Sequence, residues 1–178
     1  MSVEVSWFSA LCDDDYRHLG VHDSELKSSW AHCSSITTKA DRLGYDSILL
    51  PSGYQLGIDS VAFAGGIAPI TEQIRLLVAV RCGELWVPQQ ARQLATLDQM
   101  LGGRLAVNII SSDIPGETMA SEPRYQRTRE TMMALRQLLN GEALAMQGEF
   151  LNLEIEPPNA RTVTGNSPLF YFGGLSEP

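Results

Sequence analysis

The sequence predicts an α/β protein built on a parallel sheet covered by helices. Two observations predict it. Apolar runs without polar alternation recur along the chain, and amphipathic helical patterns separate them. Strands of that kind are buried on both faces, which requires a helical layer on each side. A third observation narrows the class. No GxGxxG follows the first strand, which disfavours a dinucleotide-binding sheet and leaves an open doubly wound sheet or a barrel.

The elements follow in order. Val3 to Phe8 (VEVSWF) alternates and opens the chain as a strand. The polar stretch after it, LCDDDYRHLGVHDSELKSS, is long for an incidental loop. Trp30 to Leu43 reads as a helix, with Ile36, Ala40 and Leu43 at helical spacing and Gly44 as its stop. Ser47 to Leu50 (SILL) is a short buried strand ended by Pro51. Asp59 caps a helix running to about Ile67. Arg75 to Val80 is an apolar strand, and Pro88 begins a helix to about Met100 that Gly102-Gly103 ends. Arg104 to Ile110 (RLAVNII) is the next strand, followed by a polar loop from Ser111 to Pro123 and a helix from Arg124 to Leu139. An irregular excursion from Gly141 holds a small hairpin around Gly148. Leu169 to Phe172 (LFYF) is a final strand running into Gly173-Gly174.

Composition excludes several roles. The chain has 178 residues, 44% of them hydrophobic, as a soluble globular domain does. A formal charge of -8 with no basic cluster argues against nucleic acid, whose phosphates it would repel. No apolar run approaches the ~20 residues of a membrane span, and the N-terminus lacks the features of a secretory signal. Cys12, Cys33 and Cys82 are odd in number and scattered, so no disulfide framework or zinc pair is expected, and the compartment reads as a reducing cytoplasm. His18, His22 and His32 read as solvated loop and helix residues rather than metal ligands.

Three stretches carry a resemblance. They are KADRLGYDSILLPSG from Lys39 to Gly53, ARQLATLDQMLGGRLAVNIISSD from Ala91 to Asp113, and PLFYFGGLSEP from Pro168 to Pro178, with Arg124-Tyr125 as a spaced fourth match. In that order and at that spacing they resemble the bacterial luciferase-like flavin-dependent monooxygenases, in their alkanesulfonate monooxygenase branch. The resemblance implies a luciferase-like (β/α)8 TIM barrel, a fold of ~250 residues or more. Residues 1–178 are therefore expected to form a single luciferase-like domain holding strands 1 to 5 and helices 1 to 4, truncated before the C-terminal half of the barrel.

Barrel sites lie at the carboxyl ends of the strands, so the residues after each apolar run are the candidates. By resemblance, Phe8 lies near the flavin ring; plugging the barrel mouth is its structural alternative. Pro51, Ser52 and Gly53 offer small residues and backbone against a flat isoalloxazine, or form an ordinary Pro-Gly turn. Asn108 and Ser111 match positions that hydrogen-bond the flavin, though Asn108 could instead tie strands together. Arg124 and Tyr125 match a pair beside the ribityl-phosphate tail, while Arg127 and Arg129 read as solvated helix charges. Gly173, Gly174 and Ser176 match a phosphate site, where glycine N–H groups and a hydroxyl donate. Arg81 is the one catalytic candidate, attracting an anionic substrate or the flavin's carbonyl edge, unless it pairs with Glu84 or Asp113.

The resemblance further implies FMN in its reduced form, FMNH2, delivered by an NAD(P)H-dependent flavin reductase, with oxygen and a small organosulfur substrate as co-reactants. The expected reaction converts a sulfonate to an aldehyde plus sulfite. Two departures bear on the substrate. The sulfonate enzymes carry a Cys in the loop after the second strand, where this chain has Leu56. The Arg and His residues that bind sulfonate and assist proton transfer fall mostly beyond this part of the barrel. A non-catalytic half-barrel remnant and a monooxygenase of another organosulfur compound are the alternatives. A half-barrel exposes two sheet edges, so a homo-oligomer is expected.

Overall fold

The structure is a computed structural model. It describes residues 3–13, 15, 17–18, 21, 23, 25–55 and 57–173. Strands β1 (Ser6–Phe8), β2 (Ser47–Leu50), β3 (Arg75–Arg81), β4 (Leu105–Ile110) and β7 (Leu169–Phe172) form one sheet in the order β1-β2-β3-β4-β7. Helices α1 (Trp30–Arg42), α2 (Ser60–Ile67), α3 (Val87–Met100) and α4 (Ser121–Leu139) connect them, and β5 (Leu144–Gln147) pairs antiparallel with β6 (Asn152–Ile155) as a hairpin before β7. β1 pairs parallel with β2, and β2 with β3. The Leu76 N–H donates to Arg104 O at 3.0 Å, and the Cys82 N–H donates to Ile110 O at 3.2 Å, so β3 and β4 run in the same sense. The α/β class with a five-stranded parallel sheet and four helices is the one expected.

Chain contacts divide into two compact units, residues Met1–Val80 with Arg104–Ala106, and Arg81–Gly103 with Val107–Pro178. In the first unit, α1 starts because the Ser29 hydroxyl accepts the His32 N–H at 3.1 Å. It stops at Gly44, whose φ of +78 closes the helix end at no steric cost. Cys33, Thr37, Ala40 and Asp41 form its buried stripe at helical spacing. α2 is capped by the Asp59 carboxylate, which accepts the Ala62 N–H at 2.7 Å. Ile48, Leu50, Phe63, Ile67, Ile74 and Leu76 are fully buried and form the core.

One carboxylate organises this unit. Asp41 accepts the N–H groups of Glu72, Gln73 and Ile74 at 3.0, 3.0 and 2.7 Å. Arg104 donates to the Ile74 and Thr71 carbonyls at 2.8 and 2.9 Å, which holds the same turn from its acceptor side. Burial alone would raise the Asp41 carboxyl; the three N–H donors and the Arg104 charge outweigh it and hold it below the usual carboxylate range.

In the second unit, α3 and α4 pack against each other, and Leu94, Leu97, Leu135 and Leu138 on these helices are buried. Here Glu130 is the anchor. Its carboxylate accepts the N–H groups of Glu149, Phe150 and Leu151 at 2.9, 2.8 and 2.8 Å, catching the turn of the hairpin. Burial pushes its carboxyl up, but Gln126 and the three backbone donors hold it below the usual range. Gly148 is required there, because a Cβ would strike the Glu130 carboxylate.

Two boundaries differ from expectation. β1 is shorter than Val3 to Phe8, because its ladder begins where Ser6 meets Ser47. Val5 is held instead by Asp46, whose carboxylate accepts the Val5 N–H and whose N–H donates to Val5 O. α4 begins at Ser121 rather than Arg124. Pro123 sits in its first turn, where a missing N–H costs no helical hydrogen bond.

Candidate functional site

In the first unit the candidates follow β1 and β2. Phe8 ends β1 and is 44% exposed. Ser9 follows it, is fully buried, and its hydroxyl has no partner. Trp7 points to the other face of the strand and meets the edge of Tyr45 at 5.4 Å. Pro51, Ser52 and Gly53 are half-buried after β2, a run of small side chains without a bulky one until the exposed Tyr54. Leu56 lies outside the described residues.

In the second unit the candidates follow β3, β4 and β7. Arg81 ends β3 with its Nε 3.1 Å from the Glu84 carboxylate and its Nη1 donating to the Asp113 carbonyl at 3.3 Å. The ion pair named from the sequence is thus the one with Glu84, while Asp113 is met through its backbone carbonyl rather than its carboxylate. Asn108 is half-buried within β4. Ser111 follows the strand, and its buried hydroxyl has no hydrogen-bond partner. A buried hydroxyl in that state is uncommon in a satisfied framework.

The loop between β4 and α4 is held by arginines. Arg124 donates to the Met119 carbonyl at 3.2 Å and lies 3.5 Å from the Asp113 carboxylate, which also accepts the Met119 N–H at 3.1 Å. Tyr125 is half-buried, with its ring 6.2 Å from Phe172 in an edge arrangement. Phe172 and Gly173 are exposed. Gly174 and Ser176 lie outside the described residues, as does His22.

Arg127 corrects an expectation. It is not a solvated helix charge but is 6% exposed. Its Nη1 pairs with the Glu117 carboxylate at 2.5 Å and its Nη2 donates to Ser112 O at 3.2 Å. Arg129 is exposed, as expected. Cys82 lies beside Arg127 and Thr128; burial pushes its thiol up to about 12 despite the favourable charge and hydrogen bond. Among the described residues no cluster of His, Cys, Asp or Glu could hold a metal ion, and no helix is long and apolar enough to cross a membrane.

The model of the Luciferase-like monooxygenase family matches residues 4–178. The chain belongs to that family. A sulfoquinovose monooxygenase of Novosphingobium aromaticivorans is 58% identical, over 98% of this chain and 50% of its own length. Another sulfoquinovose monooxygenase, from Agrobacterium fabrum, is 49% identical over 98% of this chain and 46% of its own length. The chain spans about half the length of the curated relatives it matches. Among solved structures, a riboflavin lyase with modified FMN and riboflavin superposes with a TM-score of 0.84 at 15% identity, covering 99% of this chain and 51% of that one. A long-chain alkane monooxygenase superposes at 0.81 and 14% identity, covering 99% and 53%. These likenesses show the fold, an incomplete luciferase-like barrel.

Sequence reasoning missed two features of this luciferase-like chain. The buried hydroxyl of Ser9 has no legible signal, since a serine after an aromatic strand end is common. Arg127 had one. It occupies the inward stripe of α4 with Thr131, Ala134 and Leu138, where a solvated charge is out of place.

Proposed function

We propose that the chain is the N-terminal part of a reduced-FMN-dependent monooxygenase that oxygenates the sulfonate-bearing carbon of an organosulfonate and releases sulfite. One observation carries the reading: a luciferase-like family match over 4–178 combined with two sulfoquinovose monooxygenases at 58% and 49% identity. Those names favour a sulfonated sugar as substrate over a simple alkanesulfonate. The alkanesulfonate reading keeps support from the stretches that first suggested the family.

The residues present suit a flavin. The unpartnered Ser111 hydroxyl and the half-buried Asn108 amide can both donate and accept, which fits the alternating carbonyl and N–H edge of an isoalloxazine. Phe8, Pro51, Ser52 and Gly53 would contribute an aromatic face and small residues against the ring. Arg124, Tyr125, Gly173, Gly174 and Ser176 would serve the ribityl-phosphate end. Reduced FMN supplies the two electrons that let oxygen react. The protein's share is to bind and orient the cofactor and to keep water away. Arg81, held by Glu84, contributes a fixed positive charge at the end of β3. A separate NAD(P)H-dependent flavin reductase supplies the reduced cofactor, in a cytoplasmic setting. The exposed Phe8 on β1, and Leu169 and Phe172 on β7, suit burial against further chain or another subunit in a homo-oligomer.

The test is sulfite release. The protein is supplied with FMN, a flavin reductase, NADH and air, and offered sulfoquinovose, a series of alkanesulfonates and a sulfone. Sulfite from the sulfonated sugar at rates above the alkanesulfonates is expected. Equal or greater release from the alkanesulfonates moves the substrate to that class. No sulfite from any sulfonate removes the proposal.

A further inference from the structure

The second unit spends an unusual resource on one loop. Residues 111–120 join β4 to α4 with no regular structure of their own. A buried guanidinium on α4 holds them. Arg127 is nine-tenths buried, and its two terminal nitrogens go to Glu117 and to the Ser112 carbonyl. Its Nε has no partner. Above that nitrogen lies Gly83 at φ +104, where a Cβ would approach to 2.9 Å. The turn after β3 is thus built to close over the guanidinium.

Packing alone does not account for this. Position 127 lies on the inward stripe of α4, where a leucine or methionine would fill the space without burying a charge whose partner, Glu117, is more than a third exposed. What the ion pair adds is direction. It grips the loop at Ser112, one residue beyond the buried, unpartnered hydroxyl of Ser111, and again at Glu117. Arg124 and Arg81 add holds at Met119 and Asp113.

We propose that Arg127 is a positioning residue: through Glu117 and the Ser112 carbonyl it sets the backbone that presents the Ser111 hydroxyl to the cofactor. This rests on the flavin reading given above. Arg127 itself does not touch the flavin. It acts by limiting the geometries Ser111 can adopt before the cofactor arrives, and preorganised groups bind more tightly because less order is lost on binding.

Four variants test it: Ser111→Ala, Arg127→Met, Arg127→Lys and Glu117→Gln. Two readouts are taken. FMN affinity is measured by quenching of flavin fluorescence, and backbone hydrogen exchange over residues 112–119 is measured without flavin. Ser111→Ala is expected to weaken FMN by several-fold with loop exchange unchanged. Arg127→Met and Glu117→Gln are expected to weaken it by up to the several-fold loss of Ser111→Ala and no further, because they act through that hydroxyl, and to speed exchange in the loop while amides 130–139 of α4 stay protected. Arg127→Lys should fall between them and wild type. If Arg127→Met fails to fold, Glu117→Gln decides, because Glu117 is more than a third exposed. The proposal is overturned if Ser111→Ala loses affinity while Glu117→Gln and the Arg127 variants match wild type in both readouts. If Ser111→Ala itself binds FMN normally, the placement of the flavin at this strand end is wrong, and the proposal falls with it.

Discussion

Two kinds of buried polar group stand side by side in this chain, and they are treated oppositely. Asp41 in one unit and Glu130 in the other each accept three consecutive backbone N–H groups, so every donor of the returning turn is met. The hydroxyls of Ser9 and Ser111, at the ends of β1 and β4, are as deeply buried and have no partner. Frameworks pair their buried polar atoms because leaving one unpaired costs about 1–3 kcal/mol. Where local rules are broken without a compensating contact, function is the usual reason. The contrast separates carboxylates that hold the fold from hydroxyls the fold leaves unmet, and the experiments below aim to break it.

The largest effect should come from the carboxylates. Asp41→Asn and Glu130→Gln each replace an acceptor-only group by an amide that turns a donor toward N–H groups. Each is expected to cost about 3 kcal/mol, read as a fall in the thermal midpoint of roughly 5–10 °C. A change under about 1 °C in either would show that these turns are held by packing alone. The same groups set the acid response. Both folded-state carboxyls are held below their usual range. Their stabilisation is therefore fully present above the ordinary values of about 3.9 for Asp and 4.3 for Glu, and it is lost as pH falls through the lower folded values. The melting temperature should stay level from neutral pH to about 5 and then drop, and Asp41→Asn should make that drop shallower. An equally steep drop in the variant would assign acid sensitivity to other groups.

The fold was largely legible because its signals are local. Ser29, Gly44 and Asp59 mark helix ends by capping chemistry that depends on neighbours alone. The SILL and LFYF runs need no distant partner to be recognised as strands. The start of α4 was misjudged at Pro123, because a proline signals both loop and first turn. Candidate positions were legible where a polar residue interrupts or follows an apolar strand, as Asn108 and Ser111 do. They were not legible where partners lie across a loop. Nothing in helical periodicity pairs Arg127 with Glu117, ten residues upstream, and nothing in the letters says that Asp41 catches residues 72–74. An arginine on an inward stripe is ambiguous by sequence, since its long stem can also reach out to water.

The smallest effect sharpens the comparison at the Arg127 clamp. Cys82 is 1% exposed, and burial raises its thiol to about 12, with the Arg127 charge and the Thr128 hydrogen bond pulling against that rise. The thiolate is the reactive form, so at about pH 8 almost none is present at Cys82. Iodoacetamide should label the half-buried Cys12 in the native protein and leave Cys82 intact until denaturant is added. Removing the neighbouring cation in Arg127→Met makes the Cys82 thiolate harder to form, which by electrostatics alone would slow labelling further. Faster labelling of Cys82 in that variant would therefore report opening of its surroundings, the turn that Gly83 closes over the guanidinium included. Labelling of Cys82 as fast as Cys12 in the wild-type protein would mean that this turn is open without any mutation, and that the clamp does not hold it.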